Sequence, residues 1–527
     1  MPILLRLTAA VLLLCAAVGA RAADPAVDQA LANLAADPKA LRASVEALGG
    51  ARGDPRALAV LEALRDGRLS VAGGEVLMRS ADGRVLRARD GAAVAEAGSA
   101  FGLTNALRRG LGTAVARQQL LATDPQVRLA AAGALAERPS TEVEGLLREL
   151  LATEADARVR KALALALAPL DLDSADKARR LAAIGVLAED GELAARGLLE
   201  PIAQGRDPEL AQAARRALSR IGERQWLRDQ FGNLFFGLSL GSVLLLAALG
   251  LAITFGLMGV INMAHGEMLM IGAYATYVVQ GLFRQYLPGA FDWYLLAALP
   301  AAFVASALVG AAIERTVLRH LYGRPLETLL ATFGISLILI QTVRVIFGAQ
   351  NVEVANPAWL SGGIEVATNL VLPYNRLATI VFAVLVLAGV WTIFQKTRLG
   401  LRVRSVTQNR GMAAAMGIDT RRVDTLTFAL GSGVAGLGGV ALSQLGNVGP
   451  ELGQAYIIDS FMVVVLGGVG KLAGAVAGAL GLGVVNKLLE PAVGAVLGKI
   501  ALLGFIILFI QKRPQGLFAL KGRAVES

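Results

Sequence analysis

The sequence predicts an all-α protein in two parts: a polytopic membrane helix bundle of about eight to ten spans, preceded by an exported α-helical, HEAT-like domain that bears a small β-hairpin. Three observations predict it. Every apolar run of about 17 to 25 residues lies after Phe231. Residues 24–230 are rich in Ala, Arg, Asp and Glu and hold no such run. Residues 1–23 have the layout of a cleavable secretory signal. With 527 residues, 55% hydrophobic and 17% charged, and a mean hydropathy of +0.58, the chain is too apolar to be soluble throughout and too charged to be membrane throughout.

The first segment carries Arg6, an apolar core over residues 7–18 and the small residues Ala20 and Ala22, so the following domain is expected to be exported. Cys15, the only cysteine, falls inside it, and Leu14 stands where a lipid anchor would need a small residue. Cleavage leaves no cysteine, which excludes disulfides and thiolate metal sites. His265 and His320 are the only histidines, so a histidine metal cluster is excluded too, and no cofactor is expected. A net charge of +10 would suggest nucleic acid in a soluble protein. Here much of the excess falls in loops between spans, where topology explains it and no nucleic-acid partner is needed.

Over residues 24–230, similar segments begin at Asp124, Asp156 and Asp207, with a weaker copy over 176–190. Each opens on an acidic residue suited to a helix N-cap and continues with Ala and Leu at helical spacing. This resembles HEAT-type helical repeats, whose paired helices stack into a small solenoid, although Ala-rich helices of other bundles share the pattern. Between Leu69 and Val94 the pattern changes to alternation, with Asp82 and Gly83 as the turn of a β-hairpin. No nucleophile is accompanied by a base, so a docking surface and a stabilising cap are the two roles left open.

In the membrane domain, residues 231–520, the candidate spans run 232–258, 264–283, 294–317, 326–347, 376–395, 425–445, 456–469, 472–489 and 498–511. The basic loop 396–424 is expected to be cytoplasmic, with the 314–324 loop and the C-terminal tail, 521–527, on the same side. The 348–373 loop, with Glu353 and Glu365, is expected to face out. Arg215, Arg216, Arg220, Arg224 and Arg228 crowd the outer edge of the first span against that rule, but long translocated domains largely escape it.

Asn262, His265 and Glu267 interrupt an otherwise apolar stretch at 256–275. An ionisable group at bilayer depth costs roughly 2.5 to 3.5 kcal/mol, so such residues usually line a bundle interior or a wet cavity. Two readings stay open: contact with a transported substrate, or satisfaction of backbone groups freed where Gly256, Gly259 and Gly266 interrupt the helix. Gln444 and Asn447 follow a Gly-rich helix and either face substrate or cap that helix.

Two loop features bear on mechanism. In the 409–422 segment, Met412 and Met416 form an apolar face on a short helix flanked by Asn409, Arg410, Gly417 and Arg421, suited either to a cleft on a cytoplasmic partner or to anionic membrane lipid. The run at 463–481 tempts a phosphate-loop reading, which fails because Val465 lacks the required Gly and Leu472 replaces the Ser or Thr that would hold Mg²⁺. Gly470, Gly474 and Gly478 instead recur every four residues, as close helix packing in lipid uses. ATP, if used, must bind another polypeptide.

Taken together, GVINMAHGEMLMIGAYA, NRGMAAAMGIDTRRVDTLTFALGSGVAGLGGVA, VVVLGGVGKLAGAVAGALG and the RPQGLF tail resemble the branched-chain amino acid permease family of ABC importers, over about residues 232–520. The signal segment, the long helical extension and GVGKLAG resemble its urea-importer branch. The resemblance implies an inner-membrane permease subunit, not an enzyme. It implies a second related permease, two cytoplasmic ATPase subunits that meet the 409–422 region, and a periplasmic substrate-binding protein. It also implies urea, branched-chain amino acids or short amides as cargo. A passive urea or amide channel, an ion-coupled carrier relaying protons through His265 and Glu267, and a membrane-anchored scaffold whose repeats recruit partners are the competing classes.

Overall fold

The computed structural model describes residues 25–36, 40–51, 54–80, 84–94, 98–137, 141–367, 370–514 and 516–518. The expected signal at 1–23, the expected turn at Asp82 and Gly83, and the tail at 521–527 lie outside the described residues. The chain divides into two compact units, Met1–Gln225 and Trp226–Ser527.

The first unit opens with α1 (Pro25–Ala36), α2 (Leu41–Gly50) and α3 (Pro55–Arg65), followed by strands β1 (Leu69–Ala72), β2 (Glu75–Arg79), β3 (Val85–Arg87) and β4 (Ser99–Ala100). It continues through α4 (Asn105–Leu120), α5 (Pro125–Glu137), α6 (Glu144–Thr153), α7 (Ala157–Leu172), α8 (Lys177–Asp190), α9 (Ala194–Ala203) and the start of α10 (Pro208–Met258). The aspartates at the repeat starts act as caps. The side chains of Asp124, Asp156, Asp176 and Asp207 accept from the backbone N–H two residues on, at 2.8, 2.8, 2.9 and 3.0 Å. Each thereby satisfies a donor that a helix start leaves orphaned.

The sheet is larger than one hairpin: four antiparallel strands in the order β3-β2-β1-β4. The β2–β3 pair spans the expected turn, and Gly73 and Gly74, both at positive φ, turn β1 into β2. Strands as short as β1 and β4 carry too little alternation to be read from sequence. Three apolar clusters follow one another along this unit. The first joins α1–α4 to the sheet, the second centres on Leu120, Leu147 and Leu163, and the third joins α7–α9 to Leu210, Ala214 and Ile221 of α10.

The second unit holds the rest of α10, then α11 (His265–Tyr286), α12 (Tyr294–Thr316), α13 (Pro325–Phe347), the ribbon β5 (Gly363–Ala367) and β6 (Leu370–Pro373), and α14 (Tyr374–Lys396). It closes with α15 (Arg398–Gln408), α16 (Arg410–Ala415), α17 (Thr420–Ser443), α18 (Leu452–Gly467), α19 (Leu472–Val493) and α20 (Ala495–Lys512). Among the described residues, seven helices are long and apolar enough to cross a membrane. This is fewer than the expected eight to ten. Two expected spans fall short, α11 because His265, Glu267 and Gln280 dilute its apolar content and α18 because it has only 16 residues. The helix that holds the first expected span starts before residue 232, at Pro208, because the Ala- and Arg-rich stretch ahead of the apolar run has no Pro or Gly break strong enough to end it, and α10 is 51 residues long.

Burial ranks the helices. In α17, 78% of the apolar stretch is buried, against 17% in α20, so α17 is central and α20 presents the apolar surface a bilayer covers. Glycines let the central helices touch. Cβ atoms added at Gly431, Gly433 and Gly439 would stand 2.9 Å from the Gly250 carbonyl oxygen, 2.7 Å from the Phe303 ring and 2.7 Å from the Ala273 nitrogen. With no hydrophobic drive between helices in lipid, such close van der Waals contact holds the bundle together.

Candidate functional site

α10 ends at Met258, Gly259 takes φ +69, and the chain stays non-helical until α11 starts at His265. His265 Nε2 lies 3.0 Å from the Ala247 carbonyl. Ala247 is eleven residues before the end of α10, about 16 Å at 1.5 Å per residue, so α11 begins well inside the bundle. A second break mirrors the first: α17 ends at Ser443, the chain is non-helical to residue 451, and α18 starts at Leu452. The two starts meet, since a Cβ on Gly453 would stand 2.8 Å from the Glu267 nitrogen.

Asn262, His265 and Glu267 are all buried, at 0, 0 and 1% exposure. The Asn262 side-chain oxygen accepts from the Ala264 N–H at 3.0 Å, a local turn just ahead of α11, while its Nδ2 has no partner. A carbonyl only accepts, so the bond to Ala247 requires His265 to carry its proton on Nε2. Nδ1 lacks a partner too. Glu267 Oε1 accepts from the Ser336 hydroxyl at 2.9 Å, and Oε2 is unpartnered.

His265 and Glu267 do not form a relay. Two residues apart on a helix, they project about 200° apart, His265 toward α10 and Glu267 toward α13. The side facing α13 meets a polar stripe that sequence reasoning missed: Thr328, Thr332 and Ser336, all buried, at successive four-residue steps. The Thr332 hydroxyl also accepts from the Met263 N–H at 3.1 Å. The signal was present as hydroxyls at helical spacing within an apolar span.

Gln444 and Asn447 stand apart from this site. Gln444 is buried and clamps three elements: its Nε2 donates to the Tyr294 hydroxyl at 3.1 Å, and its backbone carbonyl accepts from Asn375 Nδ2 at 3.0 Å. Tyr294 in turn donates to the Ala355 carbonyl at 2.7 Å. Ala355 adjoins Gln280, which is thirteen residues along α11 from Glu267 and about 20 Å away. Gln444 is thus a helix-end clamp, and Asn447 is exposed in the loop that follows.

At the other end of α17, Asn409 caps α16 by accepting from the Met412 N–H at 2.9 Å. Met412 and Met416 are 62 and 77% exposed, Gly417 takes φ +83, and Arg421 is exposed. Arg410 lies 2.5 Å from the buried carboxylate of Asp424 and 5.1 Å over the Tyr322 ring. Burial, with Asp424 and Glu314 close by, pushes the Tyr322 hydroxyl well above the ordinary tyrosine range.

Gly470 is not on a helix. It sits at φ +90 in the turn between α18 and α19, where its backbone is what Gly256 packs against, so the four-residue glycine spacing does not continue a helical face through it. Gly474 and Gly478 do lie on α19 and meet the backbone at Gly467 and Val463. The tail explains part of its own motif: Leu517 and Phe518 donate to the Leu466 and Gly467 carbonyls at 2.9 and 3.2 Å, capping α18, and Gly516 takes φ +74 against the Gly468 backbone. Among the described residues, no group of three or more His, Cys, Asp or Glu is placed to hold a metal ion.

A bundle of apolar helices, broken internally where buried polar side chains lack partners, defines a membrane transport component. Residues 233–511 match the family model described as "Branched-chain amino acid transport system / permease component", and the chain belongs to this family. It is 31% identical to the high-affinity branched-chain amino acid transport system permease protein BraD of Pseudomonas aeruginosa, over 53% of this chain and 93% of the relative. It is 32% identical to LivH of Salmonella typhimurium, over 54 and 94%. A shorter likeness, 31% over 21% of this chain and 35% of the relative, joins it to the ribose import permease protein RbsC of Bacillus subtilis. No solved structure matches. Like these relatives, the chain is a multi-pass transport permease and not an enzyme.

Proposed function

We propose that this chain is the inner-membrane permease subunit of an ATP-driven importer for urea. It forms the path with a second permease, two cytoplasmic ATPases act on the α16 surface, and a periplasmic protein delivers the cargo. One observation carries the choice of cargo. The buried charged or polar side chains of the second unit are hydroxyls, amides, carboxylates and the His265 imidazole, and no Lys or Arg is among them in the described residues. A neutral diamide needs donors and acceptors, which Asn262 Nδ2, Glu267 Oε2 and the hydroxyl stripe supply, whereas an amino acid's carboxylate also wants a cation. The path runs past Asn262, Glu267, Thr332 and Ser336, where α11 and α18 begin inside the bundle, the place discontinuous helices commonly reserve for cargo.

The first unit is a HEAT-like periplasmic domain that follows a cleaved signal and docks a partner. Its three consecutive apolar clusters fit helices stacked in a line, each pair resting on its neighbours. The BraD and LivH relatives align with only about half of this chain, and their alignments already cover over nine-tenths of their own length, so they contain no counterpart of comparable size.

A second reading, branched-chain amino acids as cargo, is favoured by what those relatives are named for. The test is uptake of labelled urea against labelled leucine into vesicles holding this chain, its partner subunits and the binding protein. ATP-dependent urea uptake supports the proposal, leucine uptake alone replaces urea by the second reading, and urea flux without ATP makes the chain a channel.

A further inference from the structure

We propose that Arg410 and Asp424, seated on Tyr322 and backed by Glu314, form the strut that carries movement of the Met412 and Met416 surface into the transmembrane core. The inference rests on the reading that this surface meets an ATPase. α16 is only six residues long and is separated from α17 by Gly417 at positive φ, so the backbone alone does not fix one helix on the other. Two side chains seat it: Ala413, which is buried, and Arg410. The Arg410 guanidinium reaches Asp424 at 2.5 Å in the second turn of α17 and lies over the Tyr322 ring.

The groups behind this contact lie on α12 and the loop after it. Glu314, 1% exposed, accepts from the Thr425 hydroxyl at 2.5 Å and from the Tyr322 hydroxyl at 3.4 Å, with Arg319 at 3.8 Å. Two buried carboxylates thus meet at adjoining positions of α17, Asp424 itself and Glu314 held by Thr425, and Arg410 is the cation that pairs Asp424. Lifting α16 away would leave Asp424 buried and unpaired, a costly state, so α16 moves most easily with α17 attached. Beyond Asp424 there is little slack. α17 packs on α12 and α11 with no room for a side chain between them: a Cβ added at Gly433 would stand 2.7 Å from the Phe303 ring, and one added at Gly439 would stand 2.7 Å from the Ala273 nitrogen. α11 is the helix that carries Glu267. Because Arg410 is half exposed, the ion pair adds little to stability by itself. Its effect is on which elements move together.

The test uses the complete transporter in vesicles, measuring ATP hydrolysis and uptake of labelled urea, or of labelled leucine if that is the cargo, side by side. Arg410→Gln and Asp424→Asn should each raise the ATP consumed per molecule imported at least about fivefold, the lower end of ordinary coupling strengths. The double variant should be no worse than either single one, as expected for partners in one contact. A Met412→Cys reporter should still cross-link to the ATPase in these backgrounds. Arg410→Lys, which keeps a cation beside Asp424, should give an intermediate ratio.

A ratio within about twofold of wild type, with the cross-link intact, overturns the strut. So does loss of the protein in Arg410→Gln combined with a wild-type ratio in Arg410→Lys, which would make the pair a folding contact. Failure of Met412→Cys to cross-link with Arg410 and Asp424 unchanged removes the ATPase-docking reading, and the strut with it.

Discussion

Gly272 on α11 and Gly436 on α17 meet backbone to backbone: a Cβ added at Gly272 would stand 2.6 Å from the Gly436 Cα. No side chain fits there, and the contact locks the helix that carries Glu267 to the helix that carries Asp424. Gly272→Val should therefore lower the thermal midpoint of the purified transporter and its abundance in the membrane. Overpacking typically costs about 1–3 kcal/mol, and a backbone partner cannot turn aside. Gly281→Ala, on the same helix with open space around it, is the control and should melt as wild type does. Equal melting of both variants would show that the helices tolerate separation.

Asn262 separates a local turn bond from cargo contact. Asn262→Asp keeps the oxygen that accepts from Ala264 but loses the unpartnered Nδ2 donor. Its melting should match wild type while uptake falls. Asn262→Ala should also lose the turn bond to Ala264, at about 1 kcal/mol. Full uptake by Asn262→Asp would take the residue out of the path.

Glu267→Gln keeps an acceptor for Ser336 and should retain more uptake than Glu267→Leu at equal membrane abundance. Equal loss in both would point to a required charge. Ser336→Ala removes one buried hydrogen bond to a carboxylate, worth about 1.5–3 kcal/mol, and should shift the thermal midpoint of the transporter downward.

Gly417→Pro should uncouple hydrolysis from import. Proline fixes φ near −65°, against +83 here, and removes the N–H that donates to the Ala414 carbonyl at 3.0 Å. Normal stimulation of ATP hydrolysis by the loaded binding protein, together with normal uptake, would argue that the turn has no part in coupling.

In the first unit, Arg128 holds the Glu154 carboxyl below its ordinary value of 4.5 through a 2.8 Å bond. A carboxyl with a depressed folded pKa stabilises above its unfolded pKa, and that contribution is lost as pH falls through the folded one. Glu154→Gln should therefore speed hydrogen exchange in α6 and α7 of the full chain at pH 7. The difference from wild type should shrink as the pH is taken below 4.5 toward and past the folded value. A difference independent of pH would mean that the ion pair is not its source.

Much of this was legible in the residues, and what was not has particular causes. The four capping aspartates were readable because a cap is a local bond between a side chain and the N–H two residues on. The polar interruption at Asn262, His265 and Glu267 was readable because it breaks an apolar run. Glu314 was not, since at the end of its span it reads as the start of a charged loop. Thr328, Thr332 and Ser336 are too mildly polar to mark themselves, and Gly470 shared a spacing with Gly474 and Gly478 without sharing their helix. Gln444 was open between cap and cargo until Tyr294 and Asn375 were found on it.

The sequence by itself determined the division into a charged helical part and an apolar one, the capped helix starts of the first unit, the polar break ahead of α11, and the family. Those follow from hydropathy, caps and glycine or proline signals, which act over a few residues. Only the tertiary structure decided that α11 and α18 begin inside the bundle and touch, that His265 and Glu267 face opposite neighbours, and that Arg410 finds Asp424 over Tyr322. These are contacts between residues far apart in the chain. In a bundle whose apolar surfaces are nearly alike, helical period shows which residues share a face but not which helix that face meets.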